Sequence, residues 1–413
     1  MSTNTVLLTN IKELFQVRES LSAPIKGAEM KSLPSLQDAF LFIENGQIID
    51  FGPMANCPAL NVSTIDCTDQ FVFPAWCDSH THIVYAGSRE QEFEAKIKGL
   101  SYEQIAKNGG GILNSAAKLR DTSEDSLLEQ AYARLQEIIA FGTGSVEIKS
   151  GYGLSKESEI KMLRVIRRLK SMTDANIKSS FLAAHAVPPE YKDRREEYVK
   201  HIINDMLPVI AQEGLADYMD VFCDRGFFTV EDTDKLLEAG WKYGLKPKIH
   251  ANELDFSGGV QVGVKNKAIS VDHLECVAED EIQSLLHSNT MPTLLPSTAF
   301  FLKLEYAPAR KMIDAGLPIA LATDYNPGSS PSGNMSFVLS LSCIYMKMLP
   351  EEAINAATIN SAFAMELEKS NGAISKGYQG NVFITKKIPS LAFLPYSFGS
   401  DLIGKVILKG RIQ

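Results

Sequence analysis

The feature that most constrains this chain is a series of eight apolar runs of strand length, separated by longer stretches with helical patterns. Strands that are apolar along their whole length predict a parallel sheet covered on both faces. Eight such strands alternating with helices predict an α/β fold, a (β/α)8 TIM-type barrel, with a doubly wound open sheet as the alternative. The runs are 71–80, 144–150, 178–186, 217–223, 246–251, 268–274, 289–296 and 318–326.

One of the linking helices can be read in detail. The sequence "TSED" at 122–125 predicts a capping box at the start of the helix, and Gly142 predicts its end. Between these signals, six apolar residues at helical spacing predict the buried face. They are Leu127, Leu128, Ala131, Leu135, Ile138 and Ile139.

Both ends of the chain predict short strands and turns instead. Residues 38–52 alternate apolar and polar side chains around "NG", which is a hairpin signal, and the same style returns in 380–387 and 404–413. We expect residues 1–72 and 377–413 to build one small β-sandwich domain, with the barrel formed by residues 73–376. Two unrelated tails are the alternative.

Composition narrows the range of partners and locations. The formal net charge of -9, without a clustered basic surface, argues against a nucleic-acid partner. The six cysteines are scattered without a CxxC spacing, which is typical of reduced thiols in a cytoplasmic protein. The sequence contains no run of 18 apolar residues, so no membrane span is predicted. The N-terminus does not resemble a signal peptide. We therefore expect a cytoplasmic protein without nucleic-acid or membrane partners.

Metal-binding residue types lie at the ends of the predicted strands. In a barrel these C-terminal ends form one face, where residues from distant strands converge. His80 and His82 are two residues apart and point to the same side of a strand, so that they can bind one ion together. We expect His250 and Asp324 to complete a zinc or iron site with an open position for water. A merely structural histidine pair is the alternative reading of H-x-H alone.

The motifs around these residues resemble the amidohydrolase superfamily, whose members combine a (β/α)8 barrel, a small β-sandwich from both chain ends and metal ligands in this strand order. Between about residues 72 and 376 the motifs are similar, more narrowly, to those of the imidazolonepropionase family. These motifs are "EFEAKIKGLSYEQIAKNGGGI", "VEIKSGYGL", "AAHAVPPEY", "HANE", "DHLE" and "ATDYNPGSSP". The resemblance implies hydrolysis of the cyclic amide 4-imidazolone-5-propanoate to N-formimidoyl-L-glutamate in histidine catabolism. A deaminase of a heterocyclic base is the alternative.

The resemblance also implies roles for individual residues. One zinc or iron ion per subunit would activate water, with Asp324 as both a ligand and the acceptor of the water proton. His273 would polarise the carbonyl group, and Glu253 would assist proton transfer to the leaving nitrogen. The sequence leaves the division of labour between Glu253, His273 and Asp324 open. A homodimer is expected from the family.

Arg89 is the residue that selects the substrate class. A guanidinium grips a carboxylate with two parallel hydrogen bonds, and the implied substrate carries a propanoate group that a neutral base lacks. The resemblance implies further substrate contacts from Tyr152, His185, Glu253, Asn326, Gly328 and Ser329. A non-catalytic binding barrel is a third alternative, which the presence of all the proton-transfer groups disfavours.

Three local features complete the sequence-based expectations. The segment "NGGGI" at 108–112 lacks the lysine of a phosphate loop, and we interpret it as a flexible segment that forms a lid over the pocket. Ala75 and Trp76 stand where the family usually shows a Pro-Gly pair, which predicts altered packing below the metal without a change in the chemistry. The end of the fourth strand, "VFCD", has no bridging lysine, so one metal is expected; a second ion at Cys223 or Asp224 is the alternative.

Overall fold

The computed structural model describes residues 4–19, 22–100, 104 and 110–413. Its strands form two sheets of eight strands each. In chain order the strands are β1 (Val6–Phe15), β2 (Ser35–Glu44), β3 (Gln47–Pro53), β4 (Thr64–Asp66), β5 (Phe71–Pro74), β6 (Trp76–Thr81), β7 (Thr143–Lys149), β8 (Asn176–Ala184), β9 (Tyr218–Cys223), β10 (Lys246–Ala251), β11 (Ser270–His273), β12 (Met291–Leu294), β13 (Ala320–Leu321), β14 (Val382–Thr385), β15 (Ile403–Leu408) and β16 (Arg411–Ile412).

The helices lie mainly between the strands of the second sheet. They are α1 (Glu90–Ile97), α2 (Ile112–Asp121), α3 (Glu124–Ala140), α4 (Lys156–Lys170), α5 (Arg195–His201), α6 (Leu207–Glu213), α7 (Val230–Lys242), α8 (Gly259–Lys265), α9 (Glu279–Leu286), α10 (Pro296–Leu302), α11 (Ala309–Asp314), α12 (Met335–Ile344), α13 (Pro350–Asn355), α14 (Ser361–Ala364) and α15 (Phe393–Tyr396). Short π-helical segments at Ile202–Met206 and Ala356–Asn360 continue α5 and α13.

The second sheet is the predicted barrel. Its strands follow one another in the order β6 to β13, and every pairing between them is parallel. The chain after β13 returns to the first strand, where the backbone N–H of Asp324 donates to the His80 carbonyl at 3.0 Å and the N–H of His82 donates to the Tyr325 carbonyl at 2.9 Å. These bonds close the sheet, so the (β/α)8 prediction is confirmed and the open sheet is wrong.

Both ends of the chain meet in the first sheet, as predicted. β14 from the C-terminal end pairs with β5, and β5 pairs with β1 from the N-terminal end. The ring of Phe73 stacks on Phe15 at 4.6 Å and on Phe383 at 5.2 Å between ring centroids, which joins the two ends through buried aromatic surface. The predicted "NG" turn, Asn45–Gly46, links β2 to β3, and both of its residues have positive φ, as such hairpins require. The division into domains at residues 72 and 377 stays a prediction.

The first apolar run, 71–80, is two strands and not one. β5 belongs to the first sheet, which combines parallel and antiparallel pairings and is called the mixed sheet below. β6 belongs to the barrel, and Ala75 lies between the two strands. The buried Trp76 packs against Phe383, with ring centroids 4.6 Å apart, at this junction. A continuous apolar run shows that a segment is buried, but it does not show which sheet supplies its hydrogen-bonding partners.

The third helix matches its predicted buried face but not its predicted start. All six of the predicted apolar residues are buried in α3, and Gly142 follows its end with φ +93°. The predicted capping box at 122–125 is wrong, because the N-cap is Ser123 and not Thr122, and its hydroxyl accepts from the N–H of Ser126. The hydroxyl of Thr122 instead donates to the carbonyl of Lys118, in the preceding helix.

Candidate active site

Three histidines converge at the C-terminal end of the barrel. His80 is the next-to-last residue of β6, His82 lies just beyond that strand, and His250 is the next-to-last residue of β10. The Nε2 atom of His82 is 3.3 Å from that of His80 and 3.4 Å from that of His250. The Asp324 Oδ1 atom joins them, at 3.4 Å from Nε2 of His80 and 3.5 Å from Nε2 of His82. The structure therefore brings all four predicted ligands together.

The donor atoms fit a metal ion. Asp272 Oδ2 lies 2.7 Å from Nδ1 of His80, and Asp220 Oδ1 lies 3.1 Å from Nδ1 of His250. Each carboxylate accepts a hydrogen bond from the Nδ1–H of its histidine, so the Nε2 lone pairs face the common centre. Burial, reinforced by the charge of Lys149, holds the pKa of His80 well below its ordinary value.

The spacing of the donors agrees with this reading. Ligands bound at about 2.0–2.1 Å in a tetrahedral zinc site lie about 3.3–3.4 Å from one another. Lone pairs that face each other at this distance repel unless a cation lies between them. His80, His82 and His250 thus form a metal site. Among the described residues, Cys223 and Asp224 are not part of any such group.

Two of the predicted catalytic residues have unusual backbone conformations. Asp324 has φ +53° and His273 has φ +84°, in the left-handed region that residues other than glycine seldom adopt. The hydroxyl of Thr298, at the start of α10, donates to Asp324 Oδ2 at 2.5 Å. One oxygen of Asp324 is therefore held by the protein while the other faces the histidines.

His273 lies between two carboxylates. Its Nδ1 atom is 3.6 Å from Glu253 Oε2 and 3.7 Å from Glu275 Oε2. Burial lowers the pKa of His273, but the charges of Glu253 and Glu275 outweigh it and raise the pKa to about 10. Burial raises the pKa of Glu253 to about 7. Sequence reasoning missed Glu275, although its place two residues after His273 in "DHLE" was a usable signal.

A cavity of about 640 Å³ opens beside these residues. Apolar side chains, including Phe222, Phe227 and Leu302, supply much of its wall. Arg225 also lines it and was not predicted. All seven predicted substrate-binding residues line this cavity: Arg89, Tyr152, His185, Glu253, Asn326, Gly328 and Ser329.

Arg89 is packed against the loop that follows the last strand. A Cβ atom placed on Gly328 would lie 2.1 Å from Nη1 of Arg89, so the guanidinium occupies the space that this glycine leaves. Nη2 of Arg89 donates to Glu92 Oε2 at 2.6 Å, and Glu92 Oε1 accepts from the N–H of Gly111 at 2.8 Å. Glu92 therefore ties Arg89 to the segment that begins α2.

The loop of residues 326–329 is shaped by its asparagine. Oδ1 of Asn326 accepts from the backbone N–H groups of Gly328 and Ser329, both at 2.8 Å. Its Nδ2 atom donates to the Asp324 carbonyl and to the Ser329 hydroxyl, each at 2.7 Å. The Asn326 amide thus holds the loop together beside the cavity, and its direct contact with a ligand stays a prediction.

His185 presents a hydrogen-bond acceptor to the cavity. Its Nδ1 atom lies 3.0 Å from the Gly151 carbonyl, which can only accept, so Nδ1 carries the proton and Nε2 is left with its lone pair. Burial, with the nearby His250, lowers the pKa of His185 to about 3. Burial also raises the pKa of the Tyr152 hydroxyl, which therefore stays protonated.

Two further expectations concern the segment predicted to form a lid and the absence of a membrane-spanning helix. Asn108 and Gly109 of the "NGGGI" segment lie outside the described residues, so the lid stays a prediction, while Ile112 lines the cavity. Within the described part of the chain, no helix has both the length and the apolar character needed to cross a membrane.

Comparison with known proteins agrees with this architecture. Residues 71–412 match the sequence profile of the amidohydrolase family. The solved structure of an atrazine chlorohydrolase from Arthrobacter aurescens TC1, complexed with zinc, superposes with a TM-score of 0.70, covering 98% of this chain and 94% of that one. At 16% identity this likeness shows the fold alone. The chain belongs to the amidohydrolase family.

Relatives of higher sequence identity identify the particular family within the amidohydrolases. The imidazolonepropionase of Christiangramia forsetii is 56% identical over 99% of this chain and 100% of its own length. That of Flavobacterium johnsoniae is 55% identical over 98% of this chain and 99% of its own. Within the amidohydrolases, the chain belongs to the imidazolonepropionase family.

Proposed function

We propose that this chain hydrolyses the cyclic amide C–N bond of 4-imidazolone-5-propanoate and yields N-formimidoyl-L-glutamate, a step of L-histidine catabolism. The observation that carries the proposal is the convergence of a His80–His82–His250 metal site with a cavity whose wall carries Arg89. The ring amide needs an activated water, and the propanoate needs a cationic partner. The metal ligands adjoin this cavity, since the ring of His82 stacks on that of His185, which lines it, with the ring centroids 5.2 Å apart.

The metal would be held by His80, His82, His250 and Asp324. Three imidazoles and one carboxylate suit zinc or iron, and we propose one ion per subunit. When bound, the ion lowers the pKa of a water molecule and polarises the amide carbonyl. Asp272 and Asp220 keep His80 and His250 in the tautomer that this binding requires.

The substrate would be oriented by polar groups that line the cavity. Arg89, beside Gly328, takes the propanoate carboxylate through charge-assisted hydrogen bonds. The neutral His185 accepts a hydrogen bond from a ring N–H through Nε2, and the Tyr152 hydroxyl donates another. These contacts aim the ring carbonyl at the metal-ligand face of the barrel.

Proton transfers would be divided between three side chains. Asp324 takes a proton from the attacking water, and the water oxygen bonds to the ring carbonyl carbon. His273, protonated between Glu253 and Glu275, donates a hydrogen bond to the developing oxyanion. Glu253 delivers a proton to the ring nitrogen as the C–N bond breaks, and its pKa of about 7 suits both taking and giving a proton near neutrality.

Two alternatives are less well supported. A deaminase of a heterocyclic base would need no partner for a substrate carboxylate, whereas Arg89 lines this cavity. A non-catalytic binding barrel would not need His273 held between two carboxylates in a left-handed backbone conformation. We propose further that the enzyme acts in the cytoplasm as a homodimer, with a barrel of residues 73–376 and a small domain made from 1–72 and 377–413.

The direct test is a hydrolysis assay on freshly made 4-imidazolone-5-propanoate, followed by loss of its ultraviolet absorbance. We expect turnover that stops when a chelator removes the metal and returns when zinc or iron is restored. A matched assay on the propanamide analogue, which lacks the carboxylate, should proceed far more slowly. Absence of turnover by metal-loaded protein would contradict the proposal, and release of ammonia from a heterocyclic base would favour the deaminase.

A further inference from the structure

A layer of buried charge lies directly beneath the metal ligands, inside the barrel. Its five side chains are fully buried, and they come from four of the eight barrel strands. Three are carboxylates and two are lysines, in a place where parallel strands usually present apolar side chains. They are Glu147 and Lys149 on β7, Asp220 on β9, Lys248 on β10 and Asp272 on β11.

Lys149 occupies the centre of this layer. Its Nζ atom is 2.5 Å from Glu147 Oε1, 2.7 Å from Asp220 Oδ2 and 3.5 Å from Asp272 Oδ2. The other oxygen of Asp220 faces His250, and the Asp272 oxygen nearest Lys149 is also the one that contacts His80. A single ammonium group therefore touches both carboxylates that orient metal ligands.

Lys248, the second buried lysine of this layer, has a different set of partners from Lys149. It is as deeply buried as Lys149, and its ammonium contacts the other oxygen of the same Glu147. Its further contacts are the Ser79 carbonyl, 3.5 Å away, and the face of the Tyr218 ring, whose centroid is 5.1 Å away. The two lysines thus share burial and one partner, but only Lys149 forms ion pairs with Asp220 and Asp272.

A buried carboxylate keeps its charge and its orientation only while its charge is compensated. Without Lys149, three carboxylates would share one lysine. Asp220 and Asp272 would then turn toward other partners, and each would become a poorer acceptor for the Nδ1–H of its histidine. Loss of such an outer partner typically weakens metal binding by about 10- to 100-fold.

We propose that Lys149 is a positioning residue of the metal centre, because it holds Asp220 and Asp272 in the orientation that fixes His250 and His80. The inference rests on the proposed metal site and adds a residue that does not itself contact the ion. Lys149 would thereby set the geometry of His80 and His250, two ligands that come from different parts of the barrel.

The test compares Lys149→Met with Lys248→Met in the full-length protein. Zinc affinity is measured by competition with a chromogenic chelator, and the visible spectrum of the cobalt-loaded protein reports the ligand geometry. We expect Lys149→Met to bind zinc about 10- to 100-fold more weakly and to alter the cobalt spectrum. We expect Lys248→Met to change both much less, although thermal unfolding of the metal-free variants should show a similar loss of stability. Equal zinc affinities for Lys149→Met and the unchanged protein, or equal losses in the two variants, would overturn the inference.

A second variant keeps the test decisive if Lys149→Met does not fold. Lys149→Met combined with Glu147→Gln removes one positive and one negative charge together, so the net charge of the layer is unchanged and both carboxylates that orient the histidines are kept. We expect this double variant to show the same weakened zinc binding, and zinc binding as tight as in the unchanged protein would overturn the inference. If the unchanged protein bound no metal at all, the proposed function itself would fail, which is a distinct result.

Discussion

The interiors of the two sheets differ in kind. In the mixed sheet, Phe15, Phe71, Phe73 and Phe383 pack ring against ring. In the barrel, below the metal ligands, lysines and carboxylates pair with one another instead. Apolar burial stabilises a fold without specifying the orientation of any one group, whereas buried ion pairs contribute little net stability but hold each partner in one orientation. The chain uses the first kind of interior to join its ends and the second to support its site.

The largest effect should come from the polar interior. Asp324→Asn keeps the shape of the side chain but removes the charge of a metal ligand and the proposed proton acceptor. We expect kcat to fall by about 10²- to 10⁴-fold, while the melting temperature of the metal-free protein changes little. Steady-state assays and thermal unfolding measure the two quantities. Retention of most of the activity would remove Asp324 from the proposed mechanism.

A substitution in the apolar interior should lower the stability of the protein and leave its kinetics unchanged. Phe383→Ala deletes a buried ring that packs against both Phe73 and Trp76, and such deletions cost about 3–5 kcal/mol. We expect that loss in the free energy of unfolding, measured with a denaturant, and an unchanged KM for the protein that remains folded. Phe383→Leu is the milder control. A large change in KM with unaltered stability would show that the two interiors are not separate in function.

Gly328→Ala sharpens the comparison at the wall of the cavity. The added methyl group would collide with the Arg89 guanidinium, whose flexible side chain must move away. Loss of a charge-assisted hydrogen bond costs about 1.5–3 kcal/mol, so we expect kcat/KM to fall by about 10- to 100-fold, mostly through KM. Gly399→Ala is a matched control, because a Cβ there meets nothing within 4 Å. Equal kinetics for the two variants would argue against Arg89 as the carboxylate partner.

The smallest effect is expected far from the site, in the mixed sheet. Gly46 has φ +80° in the turn between β2 and β3, and a Cβ there would lie 3.1 Å from the Lys409 carbonyl. Gly46→Ala should therefore lower the free energy of unfolding by about 1 kcal/mol through backbone strain. Activity at a temperature where the variant is folded should be unchanged. A loss of activity there would show that the mixed sheet is coupled to the site.

Several elements were predictable because their signals are local. The buried face of α3 depends on spacing within one helix, and the turn at Asn45–Gly46 depends on two adjacent residues. The approach of His80 and His82 to His250 and Asp324 followed from the general rule that parallel strands of a barrel end on one face. Their short separations in the structure agree with that rule.

Other features had a signal that was not used. Glu147 and Lys149 are two residues apart on β7, the spacing that was used for His80 and His82, and the alternation rule places both on one side of the strand. Reading them as part of an apolar run hid the charged layer. Glu275, two residues after His273, was also missed, although it lies just beyond the run 268–274 and not inside it.

By itself, the sequence determined the alternation of strands and helices, the residues that end the strands and the family to which the chain belongs. Only the tertiary structure decided which sheet takes residues 71–74, which residue caps α3, and which carboxylates meet Lys149. The physical reason is range. Spacing along one segment sets which side chains share a face, but the partner of a buried charge comes from strands many residues away and depends on how the closed barrel brings those strands together.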